Sequence, residues 1–206
     1  MRIGHPHIYL ASQSPRRREL LKQIGVHFEV LLLRNDPRRH VDVDEVALLN
    51  ETATVYVERV CQEKAKAAWN AMTVRNLPPC PVLTADTIVT LAGNIIGKPS
   101  DNQHAAEILR CLSGAQHQVL TAVGVMFEDR FEYRVSSTTV CFSELSEDRI
   151  KRYLLTGEAH DKAGAYGIQG QAGAFVERLE GSFSGVVGLP LFETVELLKS
   201  FGVPTP

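Results

Sequence analysis

HIYLASQSPRRRELLKQIGVHFEVLLL, residues 7–33, decides the fold. HIYLA (7–11) is a short apolar run of strand length. The helix that follows has Ser14 as a good N-cap, Pro15 at its first position and Gly25 just past its end. VHFEVLLL (26–33) reads as a second strand. The chain therefore opens β–α–β, with Arg16, Arg17 and Arg18 in the first turn of the helix. A helix N-terminus is already positive, and each exposed cation there costs about 0.3–1 kcal/mol. One reading is a solvated charge run on the surface. The other is an anion site. Strand-to-helix turns are where α/β folds place ligands, and a bound polyphosphate would reverse the penalty. Successive helical residues point in different directions, so Arg18 is expected in solvent.

Downstream the pattern alternates. A helix runs from about residue 52 to 70 on the stripe Tyr56, Val57, Val60, Cys61, Ala65, Ala68. Residues 81–99 read as a hairpin turning at Ala92-Gly93-Asn94. Ser100 is the expected cap of a helix that ends at Gly114. Two long strands then turn at Glu128-Asp129, and the first of them is apolar on both faces, so it should be central. A short helix begins after Ser146. Residues 161–173 are glycine-rich and loop-like. Residues 174–188 read as a hairpin turning at Glu180-Gly181, and a last helix starts at Pro190. The expectation is mixed α/β in one domain over residues 1–206.

The 206 residues are 44% hydrophobic and 22% charged, an ordinary globular balance. A formal charge of −2 disfavours binding to long nucleic acid, which calls for a basic excess. Four scattered cysteines show neither C-x-x-C nor metal-finger spacing and read as free thiols in a reducing compartment. No apolar run suits a signal peptide or a membrane span. The expected location is the cytoplasm, without a membrane partner.

Several residues break their local pattern. Lys64 continues the apolar stripe at i+3 and i+4, so it faces inward, either snorkelling to a rim or meeting an anion in a cleft. Asp86 interrupts the apolar run LTADTIV, where an unpaired buried carboxylate would cost several kcal/mol. An ordinary aspartate is a poor base for bulk water, but beside Mg²⁺ it can orient a water that the metal has made more acidic. Lys98 ends the return strand of the same hairpin. VDVDE (41–45) offers Asp42, Asp44 and Glu45, and two acidic positions from separate segments suffice for Mg²⁺ with substrate phosphates. In the glycine-rich loop, Gln169 presents a donor and an acceptor to a base edge.

SQSPRRRELL, the E-K-A at 63–65, ADTIV, GKP, DKAGAYGIQG and VVGLPL occur in this order across nearly the whole chain. In these the chain closely resembles the Maf family of nucleoside triphosphate pyrophosphatases. The resemblance implies an elongated mixed sheet with helices on both sides. It implies two lobes around a cleft, similar to the inosine-triphosphatase-like fold. It also implies hydrolysis of a nucleoside triphosphate between its α and β phosphates, with a divalent cation, Mg²⁺ or else Mn²⁺. Asp86 takes the position of the catalytic or metal-holding aspartate, and Glu45 that of the second acidic ligand. Ser12, Arg16, Arg17, Lys64 and Lys98 fall on phosphate-contacting positions. Arg16, Thr87 and Gln169 match the branch acting on dTTP and UTP. The 7-methyl-GTP branch reads Trp, Gln and Glu at those places. A role in cleansing the nucleotide pool, action on 7-methyl-GTP or another non-standard nucleotide, and a nucleotide-binding regulator of cell division without turnover stay open, as does a homodimer.

Overall fold

A computed structural model of the protein describes residues 8–34 and 42–205. His7 of the opening stretch and Val41 of VDVDE lie outside the described residues.

The opening unit forms as its sequence dictates. Strand β1 (Ile8–Leu10) leads into helix α1 (Pro15–Gln23), and β2 (Phe28–Val30) returns parallel to β1. Ser14 caps α1, its hydroxyl accepting from the Arg17 amide. β2 is shorter than the apolar run 26–33. Val26 and Leu31, on either side of it, are buried in the core, and the Leu31 amide still donates to the Leu10 carbonyl at 2.9 Å.

The other elements follow in chain order. They are α2 (Ala53–Val74), β3 (Val82–Leu91), β4 (Asn94–Ile96), α3 (Asn102–Leu112), β5 (Gln116–Phe127) and β6 (Arg130–Phe142). Then come α4 (Glu147–Leu154), β7 (Val176–Glu180), α5 (Phe183–Val187) and α6 (Leu191–Ser200). The tight β3–β4 turn has positive φ at both Ala92 and Gly93, as a two-residue hairpin turn requires. Two expectations are corrected. Asp101, not Ser100, caps α3: its carboxylate accepts from the His104 amide at 2.8 Å, while Ser100 donates to its other oxygen. The segment after Gly181 is not a return strand but the short helix α5, capped by Ser182. Its Val186-Val187 pair favours a strand, yet the Gly185 carbonyl must receive the buried Thr121 hydroxyl at 2.8 Å. Tertiary contact overrides local propensity.

The sheet is mixed and seven-stranded, in the order β2-β1-β3-β5-β6-β7, with β4 also on β3. β5 is interior, as its two apolar faces require. Helix α2 covers one face, packing Tyr56, Val57, Val60 and Cys61 on Ile88, Leu120 and Ala122. On the other face, α1, α5 and α6 bring Leu20, Leu21, Val187, Leu197 and Leu198 onto Leu83, Ala85 and Val123. Among the described residues no helix is long and apolar enough to cross a membrane.

One feature of the ladder positions the site. Along the same edge, β3 pairs β1 only at Val82 and Leu83, and β4 only from Val89 to Leu91. Between them the sheet forks, and among the described residues no strand pairs residues 84–88 of β3 on that side.

Candidate active site

A cleft of about 840 Å³ opens at the fork. Its lining brings together Ser12, Arg16, Arg17, Glu45, Lys64, Asp86, Thr87, Lys98 and Gln169. Asp42 and Asp44, the other acidic candidates, lie outside it, Asp42 paired with Arg34 and Asp44 accepting from the Val46 amide. Six Lys or Arg side chains and four Asp or Glu side chains line it. It is therefore net positive in a chain whose formal charge is −2, which suits a polyanion.

Asp86 and Thr87 are consecutive in an extended strand, so their side chains leave on opposite faces. Asp86, buried, points toward α2 and accepts from Lys64 Nζ at 2.7 Å. The same ammonium lies 2.8 Å from Glu45 Oε1. Lys64 faces inward because it continues the buried stripe of α2, and it meets two carboxylates there. Burial works against its charge, but Asp86 and Glu45 outweigh that and hold its pKa above the ordinary lysine value. Burial likewise works to raise Glu45, and Lys64 reverses the balance and holds it below the usual carboxylate range.

Thr87 points the other way, toward α1. Arg17 Nη2 donates to its hydroxyl at 3.1 Å, and the Thr121 hydroxyl lies 3.0 Å from it. Arg17 also donates through Nε to the Gly188 carbonyl at 2.7 Å and through Nη1 to Ser12 at 3.3 Å. Its guanidinium therefore ties α1, β3 and the turn after α5 together, with two of its five N–H groups left over. Gly188 sits at φ +126°, a conformation L side chains rarely adopt, and a Cβ there would face Arg17 and Thr87. Arg16 and Lys98 line the cleft without an ion pair among the described residues.

The glycine-rich segment is ordered into two 3₁₀ turns, Ala163–Ala165 and Gln171–Phe175, with Gln169 exposed between them. Tyr166 is buried and lies 2.8 Å from His117 Nε2. Glu158 accepts from the Gln171 amide at 3.0 Å and lies so close to Gly170 that a Cβ there would overlap it. The stem of Lys162 packs over Gly167. The site contacts of Lys162, Glu158, Tyr56 and Arg59, the last of which holds the loop bearing Glu45, left no signal of their own in the sequence, where Tyr56 showed only as part of a buried stripe. Each has a backbone group of a loop among its partners, and nothing in a local pattern marks those.

Comparison with known proteins identifies the family. A dTTP/UTP pyrophosphatase of Nitrosomonas europaea is 53% identical over 196 residues, 95% of each chain. One of Aromatoleum aromaticum is 52% identical over 198 residues, 96% of each. One of Chromobacterium violaceum is 47% identical over 206 residues, the whole of both. The family model described as Maf-like protein matches residues 7–201, and the chain belongs to that family.

Proposed function

We propose that this protein hydrolyses nucleoside triphosphates, dTTP and UTP above all, to the monophosphate and pyrophosphate. The observation that carries the reading is Asp86: a buried carboxylate on a forked strand, opening into a net positive cleft and paired to a lysine. The names of the relatives supply the substrates.

The residues present fit a divalent cation. Among the described residues no three His, Cys, Asp or Glu side chains cluster. Mg²⁺, however, commonly takes only one or two carboxylates and completes its shell with substrate phosphates and water. Asp86 and Glu45 already converge on one positive charge, the Lys64 ammonium. These two carboxylates would hold the cation, Mg²⁺ or Mn²⁺, and it would supply charge neutralisation and a more acidic water.

The chain's own residues do the rest. The triphosphate lies over the N-terminus of α1, where free backbone N–H groups attract anions. Arg16 and Lys98 pair with its oxygens, and Arg17 adds its two remaining N–H groups. Asp86 aligns a water in line with the α phosphorus and takes its proton. The P–O bond to the bridging α–β oxygen breaks, and pyrophosphate departs with its charge compensated. Gln169 pairs with the O4/N3 edge of a pyrimidine. Thr87, bound to Arg17 and Thr121, affects selectivity by fixing the first turn of α1.

Replacing Asp86 tests this. Asp86→Asn keeps the shape and one acceptor but cannot take a proton. Its kcat should fall by about 10²–10⁴-fold with an unchanged circular dichroism spectrum. Near-normal turnover would remove Asp86 from the chemistry.

A further inference from the structure

Glu45 enters the cleft on a segment without regular secondary structure, yet its backbone is held at three consecutive carbonyls. Arg59 Nη1 donates to the Asp44 carbonyl at 3.5 Å, a long bond, and Nη2 to the Val46 carbonyl at 3.0 Å. The Tyr56 hydroxyl donates to the carbonyl of Glu45 itself at 2.8 Å. The same guanidinium grips Glu51 twice, Nε to Oε1 at 2.7 Å and Nη2 to Oε2 at 2.9 Å. Glu51 in turn accepts from the Leu48 amide at 3.0 Å, and its side chain is only 2% exposed. Glu63 braces Arg59 from one turn further along α2. Tyr56, Arg59 and Glu63, spaced three and four apart, form one face of the helix.

We propose that Arg59, assisted by Tyr56, is a positioning residue for the reaction. By fixing the carbonyls on both sides of Glu45, it presents that carboxylate to the point where Asp86 already faces, and so sets the affinity of the site for a divalent cation. The alternative is a strap that stabilises residues 44–51 and nothing else. Two features favour positioning. The strap closes on the residues flanking Glu45, and the side chain between them turns into the cleft toward Lys64. A carboxylate on an unstrapped loop would first have to be ordered before it could hold a cation. Partners that orient a metal ligand typically change affinity by about 10–100-fold when lost.

The inference rests on Glu45 being a cation ligand, and the test separates the two claims. Mn²⁺ is titrated into the full chain with a non-hydrolysable α,β-methylene-UTP, and free Mn²⁺ is read by electron paramagnetic resonance. Arg59→Met and Glu45→Gln should each weaken Mn²⁺ binding by roughly tenfold or more. In the double variant the losses should not multiply, since both act through one carboxylate. Tyr56→Phe, which keeps the ring and loses one donor, should weaken binding by a smaller factor, and it carries the test if Arg59→Met does not fold. If Glu45→Gln weakens Mn²⁺ binding while Arg59→Met and Tyr56→Phe lower only the melting temperature, the strap is merely structural and the proposal is overturned. Losses that multiply in the double variant overturn it too. Should Glu45→Gln bind Mn²⁺ normally, Glu45 is no ligand and both readings fall.

Discussion

Gln169 reaches the cleft with an amide that bonds no other side chain among the described residues. An amide can donate to O4 and accept from N3–H of a uracil or thymine. A carboxylate in its place can only accept, and it faces the O4 lone pairs with a charge. Gln169→Glu should therefore cost about 1–3 kcal/mol of discrimination toward dTTP and UTP, read as a fall in kcat/KM relative to purine triphosphates. The melting temperature should hold, because the side chain is exposed. An unchanged substrate profile would refute the role of Gln169. At this scale much of the site was legible. Asp86 declared itself by interrupting an apolar strand, and Lys64 by continuing an apolar stripe. Arg16 and Arg17 stood out as charge on the wrong end of a helix. The structure divides that last pair, with Arg17 bonded to Ser12, Thr87 and Gly188 and Arg16 without an ion pair among the described residues. The residues offered Glu45 as one of three acidic positions in VDVDE, and only the family resemblance singled it out, since an irregular acidic loop has no periodicity to read. Arg59 showed only its i, i+4 partner Glu63, which is how any exposed helix pair looks.

Elements were read from their caps and breakers: Ser14 and Ser146 cap helices as read, while at α3 the cap falls one residue on, at Asp101. They failed at α5, whose conformation is set by a distant threonine. Two side chains, one on β5 and one just before α2, also carry a signature in pH. His117 on β5 is buried against Phe142 and Tyr166, and burial pushes its pKa down from 6.5 to about 4. The unfolded chain binds this proton at a higher pH than the folded one. Stability is then full above about pH 6.5 and falls as pH drops from there toward about 4. Glu51 runs in the acid range. The Arg59 hydrogen bonds hold it at about 2 against an ordinary 4.5, so its contribution is present above about pH 4.5 and lost below it. The midpoint of thermal unfolding should decline in two stages on acidification. His117→Gln should flatten the upper stage and leave the lower. The same slope between pH 6.5 and 4.5 in that variant would show that His117 does not titrate with folding.

The whole molecule makes its site by leaving a sheet unfinished. β1 leaves β3 after Leu83 and β4 joins it only at Val89, so among the described residues no strand pairs the central strand's edge over the five residues 84–88. Helices α1 and α2 lie on opposite faces of that strand and reach the gap from both sides. Asp86 can thus meet a lysine from one helix while Thr87 meets an arginine from the other. The sequence reading placed Asp86 and Lys98 on one hairpin and the arginines after the first strand. It could not place these segments relative to each other, because that depends on which strands pair and where pairing stops. The central claim is α–β hydrolysis of a pyrimidine triphosphate dependent on a divalent cation. The most direct measurement is product analysis by ion-exchange chromatography over dTTP, UTP, 7-methyl-GTP and the common purine triphosphates, with Mg²⁺ and with chelator. The expected result is equimolar monophosphate and pyrophosphate, fastest from dTTP and UTP and absent with chelator. Binding without turnover, release of orthophosphate with a nucleoside diphosphate, or a preference for 7-methyl-GTP would contradict it.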